Sequence, residues 1–129
     1  MDKNAQEKQL QKILVIDDNA LFLETLLDLL DSQGFQGLGT QKGLLGLQLA
    51  EVQMPDVIIC DISMPELSGY EVLTKLRQNP TTANIPFIFI TAEPIDNAPY
   101  LVRELGANGY LTKPFSSSQL ILAIKAQLE

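Results

Sequence analysis

The sequence predicts an α/β fold, an open three-layer sandwich in which a parallel sheet is covered by helices on both sides. Three observations predict it. Short apolar runs alternate along the chain with amphipathic stretches of helical spacing. Each run is apolar at consecutive positions, so both faces of the strand ask for burial. The chain has 129 residues, one domain's length, enough to bury roughly two thirds of the surface its unfolded form exposes. Connections between such strands are right-handed crossovers.

Five strands and five helices follow in order. Ile13-Leu14-Val15-Ile16 is the first run and ends in Asp17-Asp18. From Ala20 to Leu30, apolar residues recur at helical spacing (Leu23, Leu26, Leu27, Leu30), and Gly34 is placed to cap that helix. Phe35 to Thr40 reads as a short strand weakened by Gly37 and Gly39. Leu44, Leu45, Leu47, Leu49 and Ala50 predict a second helix. Val57-Ile58-Ile59-Cys60 is the third strand and runs into Asp61. Val72, Leu73 and Leu76 mark a third helix, and Pro86 to Ile90 is a fourth strand ending at Thr91. A fourth helix is expected from Pro99, tolerated in a first turn, to Leu105, with Gly106 as its stop. Tyr110-Leu111 forms a fifth strand before Thr112-Lys113, and Ser116 or Ser117 caps a fifth helix through Leu128.

Composition narrows the function. The net charge of −7 argues against a non-specific nucleic-acid or anionic-membrane binder, since both need a basic surface. It leaves metal cations and basic protein surfaces as partners. With no histidine, the chain can supply neither a Ser-His-Asp nor a Cys-His nucleophile, nor a His-ligated zinc. The single cysteine, Cys60, forms no internal disulfide and reads as a small buried hydrophobe. No apolar run approaches the ~20 residues that span a bilayer. Met1 to Lys12 is polar and lacks a signal peptide's apolar core, so a cytoplasmic protein is expected.

The chemistry lies where polar residues interrupt the pattern. Asp17, Asp18, Asp61, Thr91 and Lys113 all stand at or just past the C-terminal ends of four different apolar runs. In open α/β sheets that edge is where ligands bind. If the first and third strands are neighbours, three carboxylates converge there and repel one another. Such a cluster takes up protons or binds a cation. Mg²⁺ suits it, being held by oxygen ligands and keeping waters that a phosphate can displace. Lys113 adds a compact positive charge and Thr91 a hydroxyl, which together make a site for a phosphoryl group with an aspartate as nucleophile.

With these residues in place, the sequence resembles the receiver domain of two-component response regulators. The resemblance covers Leu10 to Leu128. It rests on Asp17-Asp18, on Asp61-Ile62-Ser63-Met64-Pro65 with Gly69 four residues on, on Thr91-Ala92, and on Lys113-Pro114-Phe115. It implies a single doubly wound, flavodoxin-like sandwich whose five-stranded parallel sheet has the order 2-1-3-4-5. Residues 10–129 would form the receiver domain and residues 1–9 a polar N-terminal extension. The resemblance makes Asp61 the phosphoacceptor, served by a histidine kinase or histidine phosphotransfer protein as phosphodonor. Asp17, Asp18, Asp61 and the backbone carbonyl of Ser63 would hold Mg²⁺. Lys113 would pair with the phosphoryl oxygens, and Thr91 would hydrogen-bond one of them. Tyr110 would turn inward as Thr91 moves. Ser63 and Glu93 take the positions that tune phosphate lifetime, and the Lys113-Pro114 bond would be cis. A downstream protein would dock on the fourth helix, fifth strand and fifth helix. Such a domain catalyses only its own phosphorylation and dephosphorylation, so it is not an enzyme acting on a separate substrate.

Plainer readings stand beside these roles. Asp17-Asp18 could cap the first helix. Asp61 could be a loop residue, Thr91 a strand-end hydroxyl and Lys113 a solvated charge. Tyr110 could be a half-buried aromatic on the last helix. Pro94 and Pro99 could restrict a turn. Asp17, Asp18, Asp61, Thr91 and Lys113 have no reason to fall together on four strand ends by accident, and that favours the site. Two other classes are an aspartate-nucleophile phosphatase and a non-catalytic flavodoxin-like interaction module. The first typically carries a second acid two residues after its nucleophile, where this chain has Ser63. Gly37 to Gly43 has neither of the glycine spacings of a nucleotide loop.

Overall fold

Alternate residues of the central strands enter two separate cores, and this is what makes the molecule three layers deep. The computed structural model describes residues 10–92, 100 and 104–129. Its elements are β1 (Lys12–Ile16), α1 (Ala20–Ser32), β2 (Gln36–Thr40), α2 (Gly43–Gln53), β3 (Val57–Asp61), α3 (Gly69–Gln78), β4 (Phe87–Thr91), β5 (Gly109–Thr112) and α4 (Ser117–Leu128). The five strands form one sheet in the order β2-β1-β3-β4-β5, with every pairing parallel. On one face Leu14, Ile16, Ile58, Cys60, Phe87 and Phe89 pack against Ala50 of α2 and Val72, Leu73 and Leu76 of α3. On the other, Ile13, Val15, Val57, Ile59, Ile88 and Ile90 pack against α1 and α4 through Leu23, Leu26, Leu30, Leu120, Ile121 and Ile124. Each such aliphatic or aromatic side chain contributes about 1.5–3 kcal/mol by leaving water.

The five expected strands and four of the five expected helices appear among the described residues, with shifts at their ends. Phe35 precedes β2 instead of opening it: its N–H donates to Leu30 O at 3.0 Å, and its ring joins the α1 core. Gly37 and Gly39 do not merely weaken β2. A Cβ at either would lie 3.0 Å or less from Leu27 or Leu23, so the bare backbone lets α1 settle onto the edge strand. Gly34 and Gly106 both have positive φ, 87° and 85°, and Gly34 stands just past the end of α1, as a helix stop does. Of the two serines offered as the last cap, Ser116 serves. Its hydroxyl accepts from Gln119 N–H while Gln119 Oε1 accepts from Ser116 N–H.

Four helices are described in full. Of the helix expected over Pro99 to Leu105, residues 99 and 101–103 lie outside the described residues, as do Glu93 and Pro94. No helix among the described residues is long and apolar enough to cross a membrane.

Candidate functional site

The sheet order sets β3 beside β1, and the register pairs Ile16 with Cys60. The next residues, Asp17 just past β1 and Asp61 at the end of β3, therefore stand side by side. Asp17 is fully buried and Asp61 is 7% exposed, while Asp18 reaches the surface. One carboxylate oxygen from each of Asp17, Asp18 and Asp61 lies within 4.8 Å of the others. Lys113, from the turn after β5, joins them: its Nζ is 2.9 Å from Asp17 Oδ2 and 4.0 Å from Asp61 Oδ2. The Lys113 N–H donates to Thr91 O at 2.7 Å, tying that turn to the end of β4. The Lys113-Pro114 bond is cis. Thr91 closes β4, buried, one residue beyond Ile90, which pairs with Asp61.

The plain reading of the first two aspartates as helix caps does not survive. The N-cap of α1 is Asn19, whose Oδ1 accepts from Phe22 N–H at 2.9 Å. Asp17 instead accepts from Asn19 N–H through Oδ1 and from Lys113 through Oδ2. Its own N–H donates to Thr40 O, anchoring the turn to β2. The charge thus sits where one backbone N–H and one cation hold it.

Asp61 is held from the other side by glycine. A Cβ on Gly69 would stand 2.3 Å from Asp61 O and 2.9 Å from Ile62 Cα. Only a bare Cα lets the first turn of α3 press on the end of β3, where Gly69 N–H donates to Ile62 O. The helix is fixed there by a capping box: Ser68 accepts from Glu71 N–H, and Glu71 Oε1 accepts from Ser68 N–H.

The electrostatics follow from crowding. Burial, then the neighbouring Asp17 charge, pushes the Asp61 carboxyl up from 3.8 to about 6. Lys113 pulls it back down in part, and Asp18 raises it further by charge and by a hydrogen bond. The Cys60 thiol is pushed well above its ordinary value by burial, with the fields of Asp61 and Asp17 adding. Cys60 is therefore an inert hydrophobe, as read from the sequence. Three carboxylates face one ammonium, and all the donors are hard oxygens, so the set fits a small divalent cation.

Ser63 is exposed two residues past Asp61. Tyr110 pairs with Phe89 in register and is 43% exposed. Leu111, its neighbour, packs into the core beside α4. Alternation therefore turns Tyr110 to the opposite face, and packing on the last helix is ruled out.

A family model for the response regulator receiver domain matches residues 13–125. This chain belongs to that family. It is 33% identical over 118 residues to the polar-differentiation response regulator DivK of Brucella anthropi, covering 92% of this chain and 96% of that protein. Among solved structures it is similar to a response regulator receiver domain protein from Clostridium thermocellum, with 34% identity, a TM-score of 0.84, and 92% and 94% of the two chains covered. It is also similar to the receiver domain of the sensor histidine kinase PA1611 from Pseudomonas aeruginosa, which has a magnesium ion coordinated in the active-site cleft. That match has 27% identity, a TM-score of 0.84, and covers 92% and 98% of the two chains. In this receiver domain the Asp17, Asp18 and Asp61 pocket lies at the C-terminal edge of the sheet, and it suits Mg²⁺ and phosphorylation.

Some residues at the site were not legible as functional. Asn19 is one of three consecutive cap-competent residues, and only the end of β1 decides among them. Phe22 reads as an ordinary helix aromatic, yet its ring lies 4.1 Å from Lys113 Nζ. The Ser68-Glu71 box could have been read from its spacing alone.

Proposed function

We propose that this receiver domain takes a phosphoryl group onto Asp61 from a phosphohistidine of a histidine kinase or histidine phosphotransfer protein, and switches its protein-binding face in response. One observation carries the reading: the carboxylates of Asp17, Asp18 and Asp61 meet within 4.8 Å, with the Lys113 ammonium 4.0 Å from Asp61. An Asp61 oxygen attacks phosphorus as the P–N bond to the donor imidazole breaks. The electron pair stays on the imidazole nitrogen, and an acyl phosphate is left on Asp61. Asp17, Asp18, Asp61 and the Ser63 carbonyl would hold Mg²⁺, which when bound offsets charge on carboxylate and phosphoryl oxygens. The magnesium in the related PA1611 receiver domain supports this.

Lys113 then moves from Asp17 toward the phosphoryl oxygens, and the Thr91 hydroxyl donates to one of them. The new group adds about −1.5 to −2 charge. Tyr110 turns inward as Thr91 moves, and Ser63 and Glu93 set how long the phosphate lasts. A downstream protein reads the face formed by the segment around Pro99–Leu105, β5 and α4. The phosphate acts only through its differential contacts in the two states. No separate substrate is turned over, and the domain works in the cytoplasm.

The test is intact-mass measurement after acetyl phosphate and Mg²⁺. The parent gains one phosphoryl group and the Asp61→Asn variant gains none. Equal gain in both would remove Asp61 as acceptor.

A further inference from the structure

We propose that Phe22 is a positioning residue for Lys113, its ring face holding the ammonium beside Asp61; the proposal rests on reading Lys113 as the partner of the phosphoryl group. Lys113 Nζ lies 4.1 Å from the centre of the Phe22 ring, within cation–π range. The same ammonium is 2.9 Å from Asp17 and 4.0 Å from Asp61. The Lys113 side chain is 19% exposed, so water screens the contact only in part. Phe22 is itself steadied by Phe115, two residues beyond Lys113, with ring centres 5.9 Å apart and planes at 80°.

These contacts close a ring of interactions. Asp17 Oδ1 accepts from Asn19 N–H, and Asn19 Oδ1 accepts from Phe22 N–H. The Phe22 ring faces Lys113, and Lys113 donates to Asp17 Oδ2. Two routes therefore fix the ammonium relative to Asp17, one direct and one through the first turn of α1. A lysine has four rotatable bonds and could pair with any of three nearby carboxylates. The ring narrows that choice without adding a negative charge. An aromatic face attracts the cation more weakly than a carboxylate would, so Lys113 stays free to exchange Asp17 for an arriving anion while remaining on the ring.

The experiment replaces Phe22 with 4-fluoro-, 3,5-difluoro- and 3,4,5-trifluorophenylalanine, which keep the ring's shape while draining its face of negative charge. Phosphorylation by acetyl phosphate in Mg²⁺ should slow stepwise along the series, reaching about three- to tenfold. Phe22→Leu should slow it at least as much, and Phe22→Tyr should restore it. A second measurement needs no phosphate: the Lys113 ε-methylene protons should show a ring-current shift in the parent that Phe22→Leu abolishes. A flat rate across the fluorinated series, or an ε-methylene shift unchanged in Phe22→Leu, would overturn the proposal. Lys113→Met separates the two readings. If that variant phosphorylates at the parental rate, the role of Lys113 falls, while the ring-current shift still reports on the Phe22 contact.

Discussion

The two ends of the sheet solve opposite problems. At its N-terminal edge, two reciprocal clasps join the strands. Asp56 donates to Lys12 O and accepts from Lys12 N–H through Oδ2, both at 2.8 Å. Asn108 donates to Phe87 O at 2.7 Å and accepts from Phe87 N–H at 2.8 Å. Arg77 completes that edge, donating to Gly106 O, Ile85 O and Asn108 Oδ1. Burial lowers its pKa, but its charge is spread over these acceptors. At the C-terminal edge, three carboxylates crowd against a single ammonium. The same framework matches polar groups to partners where it needs rigidity and leaves like charges in conflict where it binds. A conflict of this kind is relieved by a cation or a proton, which makes it responsive.

The largest expected effect lies at the matched end. Arg77→Met takes the donor from two carbonyls, Gly106 O and Ile85 O, and should destabilise the domain by about 2–4 kcal/mol in urea unfolding. Phosphorylation by acetyl phosphate should persist, because the site is at the opposite edge. Loss of phosphorylation in folded Arg77→Met would break the separation of the two ends.

Gly69→Ala attacks the other end through the backbone. Its Cβ would meet Asp61 O at 2.3 Å. A loss of about 1–3 kcal/mol is expected, with slower phosphorylation at temperatures where the variant is folded. An unchanged rate would show that Asp61 tolerates movement of its strand end.

Asp61→Asn should do the reverse of most buried substitutions. The folded carboxyl titrates near 6 against an ordinary 3.8, so the folded chain holds this proton more tightly than the unfolded chain. On its account, stability rises as pH falls from above 6 toward 4 and is lost as pH climbs through 6. Without divalent cations at neutral pH, Asp61→Asn should therefore be more stable, by on the order of 1–3 kcal/mol. The gap between variant and parent should shrink as pH approaches 4. A gap independent of pH would contradict the charge conflict.

The smallest effect concerns the capping box. Ser68→Ala should cost about 1 kcal/mol and leave phosphorylation unchanged.

The fold was legible because β1, β3 and β4 are buried on both faces, a demand that only a covered parallel sheet meets. The aspartates and Lys113 were legible because each stands at a strand end, where topology alone brings them together. What the chain hid was parity and approach. With only four residues in β5, nothing in the sequence fixes which face Tyr110 takes; its register with Phe89 does. Gly69 looks like a turn residue, yet its reason is the closeness of Asp61 O. Phe22 gains its place at the site only when Lys113 arrives from the far end of the chain.

The central claim is that Asp61 shares one cation-holding pocket with Asp17 and Asp18. Calorimetric titration of Mg²⁺ into the parent and into Asp61→Asn at pH 7.5 tests it most directly. The parent should bind, the variant at least about tenfold more weakly, and binding to the parent should release protons increasingly as pH falls through 6. Equal affinity in the two proteins, with no proton release, would contradict it.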